Sequence, residues 1–115
     1  MNIDRINALA DLIEKQPHSK KSDPSGFNME YWQHTCGTPS CIAGWAVHMS
    51  GKDINVGTVM GDAQRWLGLN DVIGDSLFMA NGLRSGKRWF IQPAYAAAVL
   101  RHLAATGDVD WFIGA

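Results

Sequence analysis

Cys36-Gly37-Thr38-Pro39-Ser40-Cys41-Ile42-Ala43-Gly44-Trp45-Ala46-Val47-His48-Met49-Ser50-Gly51 is the stretch whose reading decides the fold. Thr38 suits a helix N-cap. Pro39 suits the first helical position, where its missing N–H costs nothing, and Gly51 suits the left-handed residue that ends a helix. The stretch therefore predicts a helix over 39–50. Ala43, Gly44 and Ala46 are small and let another backbone approach closely, so this helix is expected at the centre of a bundle. Gly44 costs about 1 kcal/mol of helix propensity against alanine, which close packing would offset.

Helical periodicity continues on both sides. Asn2 is a good N-cap, and Ile6, Leu9, Ala10 and Ile13 share one face of a helix over 3–16, stopped by Pro17. Residues 18–26 read as a surface loop, and 27–33 as irregular chain or one short ribbon. A third helix runs over 58–67 with Val59, Ala63, Trp66 and Leu67 inward. Gly68 and Leu69 then resemble a helix end with a hydrophobic residue folding back. Asn70 caps a shorter fourth helix that holds Val72, Ile73, Leu77 and Phe78. Pro93 begins a fifth, running to Thr106 with Gly107 after it. Tyr95, Ala96, Val99, Leu100 and Leu103 form its apolar stripe, and the tail around Trp111 is expected to dock on the core. The expectation is all-α: a compact single domain, 1–115, of about five helices around the central small-residue helix at 39–50.

Composition bounds the function. A chain of 115 residues with 46% hydrophobic residues can bury one core. Net charge is −1, which is unlike a generic nucleic-acid binder and equally unlike an acidic DNA mimic. No apolar run approaches the roughly 20 residues of a membrane span. Asp4 and Asp11 in the first helix are unlike a secretory signal, so a cytoplasmic location and reduced thiols are expected. The two cysteines do not suggest a disulfide framework; a Cys36–Cys41 bridge would need an oxidising setting.

Four constellations could carry chemistry. His34, Cys36, Cys41 and His48 supply nitrogen and sulfur donors for a metal, but Cys41 and His48 lie two helical turns apart, about 10 Å along the axis. Two buried cysteines and two ordinary histidines are the favoured reading, so no metal or other cofactor is expected. Cys41, placed in the first turn of a helix whose dipole lowers a thiol pKa, is an alternative nucleophile, with His34, His48 or His102 as base. The Cys-Gly lead into a helix resembles papain-like proteases, but no sheet exists here to present the base. Residues 62–78 form a helix-turn-helix pattern whose second helix carries Asp71 and Asp75, which phosphates would repel. Finally, Arg84, Lys87 and Arg88 beside Trp89 and Phe90 could grip a phosphate backbone, with Lys20 and Lys21 extending the patch.

Cys36, Gly37, Thr38, Cys41, Ala43, Gly44, Trp45 and Ala46 make a Cys-Gly-Thr-x-x-Cys-x-Ala-Gly-Trp-Ala segment that resembles a family of small uncharacterised bacterial and phage proteins. The Ala63-x3-Leu67-Gly68-Leu69 turn, the Leu77-Phe78 pair and the ending from Leu103 to Trp111 are similar too. The resemblance implies a shared fold and a phage or prophage setting, and no chemistry. The resulting expectation is a non-enzymatic protein–protein interaction module, a monomer or homodimer that binds and modulates a host protein or complex. Inhibition of a defence system such as CRISPR is the concrete version. Tyr31, Trp32, Arg84, Lys87, Arg88 and Trp89 are the expected contacts, and nucleic acid and membrane are not expected partners.

Overall fold

The structure, a computed structural model, describes residues 1–18, 26–29, 39–80 and 91–112. Its helices are α1 (Ile3–Glu14), α2 (Ile42–Met49), α3 (Val59–Leu67), α4 (Asp71–Phe78) and α5 (Pro93–Thr106). The all-α expectation holds: no strand occurs among the described residues, and His18 and Phe27 form an isolated parallel bridge.

Asn2 caps α1, its Oδ1 accepting the Arg5 N–H at 3.0 Å. The helix buries Ile6, Leu9, Ala10 and Ile13. It stops short of 16 because Lys15 and Gln16 donate to Leu12 and Ile13, tightening the last turn. Its chief partner is α5, which buries Ala96, Ala97, Val99, Leu100, Leu103 and Ala104. Burying one Leu or Ile side chain contributes about 1.5–3 kcal/mol, so this seam of alternating large and small residues dominates the pairing. Arg101 also reaches Asp11 at 2.9 Å and Glu14 at 2.7 Å. The Arg101 hydrogen bond holds the Glu14 carboxyl below its usual range. Solvent screening leaves these exposed pairs minor beside the apolar seam.

The central helix starts later than 39. Asn28 N–H donates to the Ser40 carbonyl at 2.9 Å, and Ser40 Oγ donates to the Asn28 carbonyl at 2.8 Å. This two-way tie holds Ser40 beside residue 28 instead of in a helical turn. The first three expected positions are spent on it, and α2 begins at Ile42 with Cys41 as N-cap. Ile42, Ala43, Gly44, Ala46 and Val47 are buried, as the small-residue pattern requires. Ser50 closes the helix and Gly51 follows at φ +84°. α2 packs mainly on α3 and also touches α1 and α4.

The turn between α3 and α4 carries a second organising constraint. Gly68 is left-handed at φ +70°, Gly68 N–H donates to Arg65 and Leu69 N–H donates to Gln64 at 3.0 Å. This is a Schellman ending, and Leu69 folds back into the core. The start of α1 sits directly on it: Asn2 N–H donates to the Leu67 carbonyl at 2.8 Å. A methyl group on Gly68 would lie 3.3 Å from Asn2 N and Met1 Cα. Asn70 Oδ1 then caps α4 by accepting the Ile73 N–H at 2.8 Å. On α4, Leu77 and Phe78 are buried, but Val72 points outward at 76% exposure.

The tail docks through Trp111, whereas Phe112 beside it is exposed and Ile113 lies outside the described residues. Trp111 is only 2% exposed, and its Nε1–H donates to the Ser76 carbonyl of α4 at 2.9 Å. Tyr95 of α5 donates its hydroxyl to the Trp111 carbonyl. One residue thus joins the last two helices.

Trp111→Ala is expected to lower the unfolding free energy by about 3–5 kcal/mol in urea titrations. Gly68→Ala is expected to cost more than Gly51→Ala. Both force alanine into left-handed backbone, at about 1–2 kcal/mol, but nothing lies within 4 Å of a methyl at Gly51. Equal losses would show that the seat of α1 on Gly68 carries no strain.

Candidate functional site

Cys41 is the sequence-predicted site residue on which the enzyme alternative turns. As N-cap it has extended backbone, and its Sγ accepts the Gly44 N–H at 3.4 Å. Two effects oppose each other at this thiol. Helix-end N–H groups favour the thiolate, whereas complete burial disfavours any charge. Burial wins, pushing the thiol from an ordinary 9.0 up to about 11. A thiol in this state is protonated at neutral pH and is committed to capping.

His48, the proposed partner of Cys41, lies at the far end of α2 and is exposed. Its ring packs edge-on to Trp45, with centroids 5.6 Å apart. Trp45 is half-buried, and its Nε1–H has no hydrogen-bond partner among the described residues. No group of three or more His, Cys, Asp or Glu side chains that could hold a metal occurs among the described residues. His34 and Cys36, the other two members of the metal alternative, lie outside the described residues. So do Tyr31, Trp32, Arg84, Lys87, Arg88 and Trp89. The α3–α4 pair has the helix-turn-helix outline, but Asp71 is tied to Gln64 Nε2 at 2.7 Å and sits beside the exposed Val72.

A surface feature that sequence reading missed lies around Trp66. The helical pattern of α3 puts Trp66 inward, yet it is only half-buried. It walls two clefts, one of about 490 Å³ against the start of α1 and one of about 320 Å³ against Ser50 and Lys52. Arg5 lies over its ring, with the guanidinium carbon 5.0 Å from the centroid, and donates from Nη1 to the Trp66 carbonyl at 2.8 Å. Arg65 lines both clefts and Lys52 the smaller one.

One carboxylate organises these cations. Asp62 accepts from Thr58 Oγ1 at 2.9 Å, Arg65 Nη2 at 2.5 Å and Lys52 Nζ at 3.4 Å. The Thr58 hydrogen bond first, then Lys52 and Arg65, hold its carboxyl below the usual range, against the opposing cost of desolvation. The Asp62 side chain is 9% exposed, whereas those of Arg65 and Lys52 are 70% and 64% exposed. The negative charge therefore lies underneath and the positive charge faces solvent. The adjacency of Arg65 and Trp66 was visible in the sequence. Their meeting with Arg5 was not, because it depends on α1 seating at Gly68.

A raised thiol pKa ties stability to alkaline pH. The contribution is fully present below the unfolded thiol's pKa and is lost as pH rises through the folded value. Stability is therefore expected to fall between about pH 9 and 11. Cys41→Ser, which keeps a capping oxygen, is expected to flatten that part of the profile. At pH 7 Cys41 is expected to resist alkylation until urea unfolds the chain, read site by site by peptide mass spectrometry. Rapid labelling of the folded protein would return Cys41 to the list of nucleophiles. No family model matches the chain, and no curated protein or solved structure matches it either.

Proposed function

We propose that this chain is a small non-enzymatic protein–protein interaction module. The observation that carries the reading is the surface grouping of half-exposed Trp66 with Arg5, Arg65 and Lys52. Tryptophan and arginine are the side chains that dominate binding energy in protein interfaces. The burial of Cys41 weighs against the cysteine-enzyme alternative, because a capped thiol with its pKa near 11 is a poor source of thiolate. Asp71 and Asp75 on α4 weigh against a recognition helix for DNA.

The setting we propose is that of a phage or prophage accessory protein, acting in the cytoplasm as a monomer or homodimer on a host factor. A CRISPR or other defence complex is the concrete version. This part rests on the resemblance carried by residues 36–46. Tyr31, Trp32, Arg84, Lys87, Arg88 and Trp89 stay as proposed contacts of the same module. Among the described residues no helix is long and apolar enough to cross a membrane, which agrees with a module that meets its partner in water.

The test is reconstitution. The tagged chain is expected to retain a defined host protein that, once purified, forms a stoichiometric complex with it in gel filtration. Cys41→Ser is expected to leave that complex intact, whereas Trp32→Ala with Trp89→Ala is expected to weaken it at unchanged helicity. A Cys41-dependent turnover without any stoichiometric complex would overturn the proposal in favour of an enzyme.

A further inference from the structure

We infer that the furrow across Trp66 takes an acidic segment of a partner protein, one that alternates carboxylate and large apolar side chains. The inference rests on the interaction-module reading and names the chemistry of its partner.

The charge layout is directional. Asp62 is nearly buried and shared by three donors, so Arg65 and Lys52 present their charge outward. The Arg5 side chain makes a single hydrogen bond among the described residues, from Nη1 to the Trp66 carbonyl. The remaining N–H groups of its fork can meet a carboxylate, the geometry for which a guanidinium is suited. Among the described residues Asp4 is the only other anion lining the clefts, and it occupies the first turn of α1, where a carboxylate complements the helix dipole. The outer surface of the furrow is thus positive although the whole chain carries a net −1.

The apolar requirement comes from the same place. Met1 and Ile3 are 50% and 48% exposed and line the larger cleft beside Trp66. These apolar side chains give a leucine or similar residue a surface to cover between the cation contacts. A phosphate backbone would use the cations but leave this apolar surface bare. A basic peptide would meet three like charges. An acidic, apolar-bearing protein segment is the occupant that satisfies both features.

The probe is a blocked peptide of alternating glutamate and leucine, titrated into the isotopically labelled full chain and followed at the Trp66 indole and Arg5 side-chain NMR signals. Saturable movement of both signals is expected, weakening several-fold as salt rises from about 50 to 200 mM. The same peptide with lysine in place of glutamate is expected to leave them unmoved. Arg5→Gln is expected to weaken binding about ten-fold. Because Arg5 also ties α1 to α3, Lys52→Gln with Arg65→Gln serves as a second variant that spares that tie. A similar loss is expected there at unchanged helicity. An unmoved Trp66, equal binding of the lysine peptide, or preference for a short mixed-sequence single-stranded DNA would each overturn the inference. If the furrow ignores the acidic peptide while the chain still holds a stoichiometric protein partner, the furrow assignment falls and the interaction module stands. If both fail, the module falls as well.

Discussion

The left-handed turn at Gly68 is the constraint on which the arrangement depends. It reverses the chain between α3 and α4, and its Schellman bonds leave the Leu67 and Trp66 carbonyls facing the start of α1. Asn2 and Arg5 take those two carbonyls. The contact is backbone to backbone at 2.8 Å, closer than any side chain at position 68 would allow without displacement. Once α1 is seated there, its apolar face is oriented toward α5, and its first turn completes the clefts around Trp66. Fold and candidate surface share a single joint.

The helices were legible because their signals are local. Asn2, Asn70, Pro93, Gly51, Gly68 and Gly107 mark helix ends through their own backbone preferences, and each stands at an end or within two residues of it. The start of α2 was misread because a nonlocal interaction outweighs a local one. Thr38 and Pro39 favour helix, but two hydrogen bonds between Ser40 and Asn28 outweigh that preference. The same competition explains Cys41. Its place at a helix N-terminus predicts a low pKa, and only burial by distant segments reveals that desolvation prevails.

The candidate surface was the least legible part. Trp66 falls on the inward stripe of α3 by periodicity, and nothing local to residues 65 and 66 announces that Arg5 lies over the ring. Val72 shows the converse: an apolar residue next to Ile73 in a short helix, yet turned to solvent. In helices of eight or nine residues the apolar stripe is too brief to fix which edge faces the core. The neighbours decide, and they are remote in sequence.

The pairing of α1 with α5 has a consequence for how the chain reaches this state. Among the described residues, the two helices that share the most extensive seam are separated in sequence by all the other helices. Bringing them together closes a long loop, an entropy cost that must be met before the apolar contacts reward it. α3 and α4, joined by one tight turn, can form as a local hairpin, but Ile6, Leu9 and Ile13 have no adequate cover until α5 arrives. Stable packing of α1 therefore depends on a nonlocal closure, which slows folding relative to a helical chain whose sequence neighbours pack together.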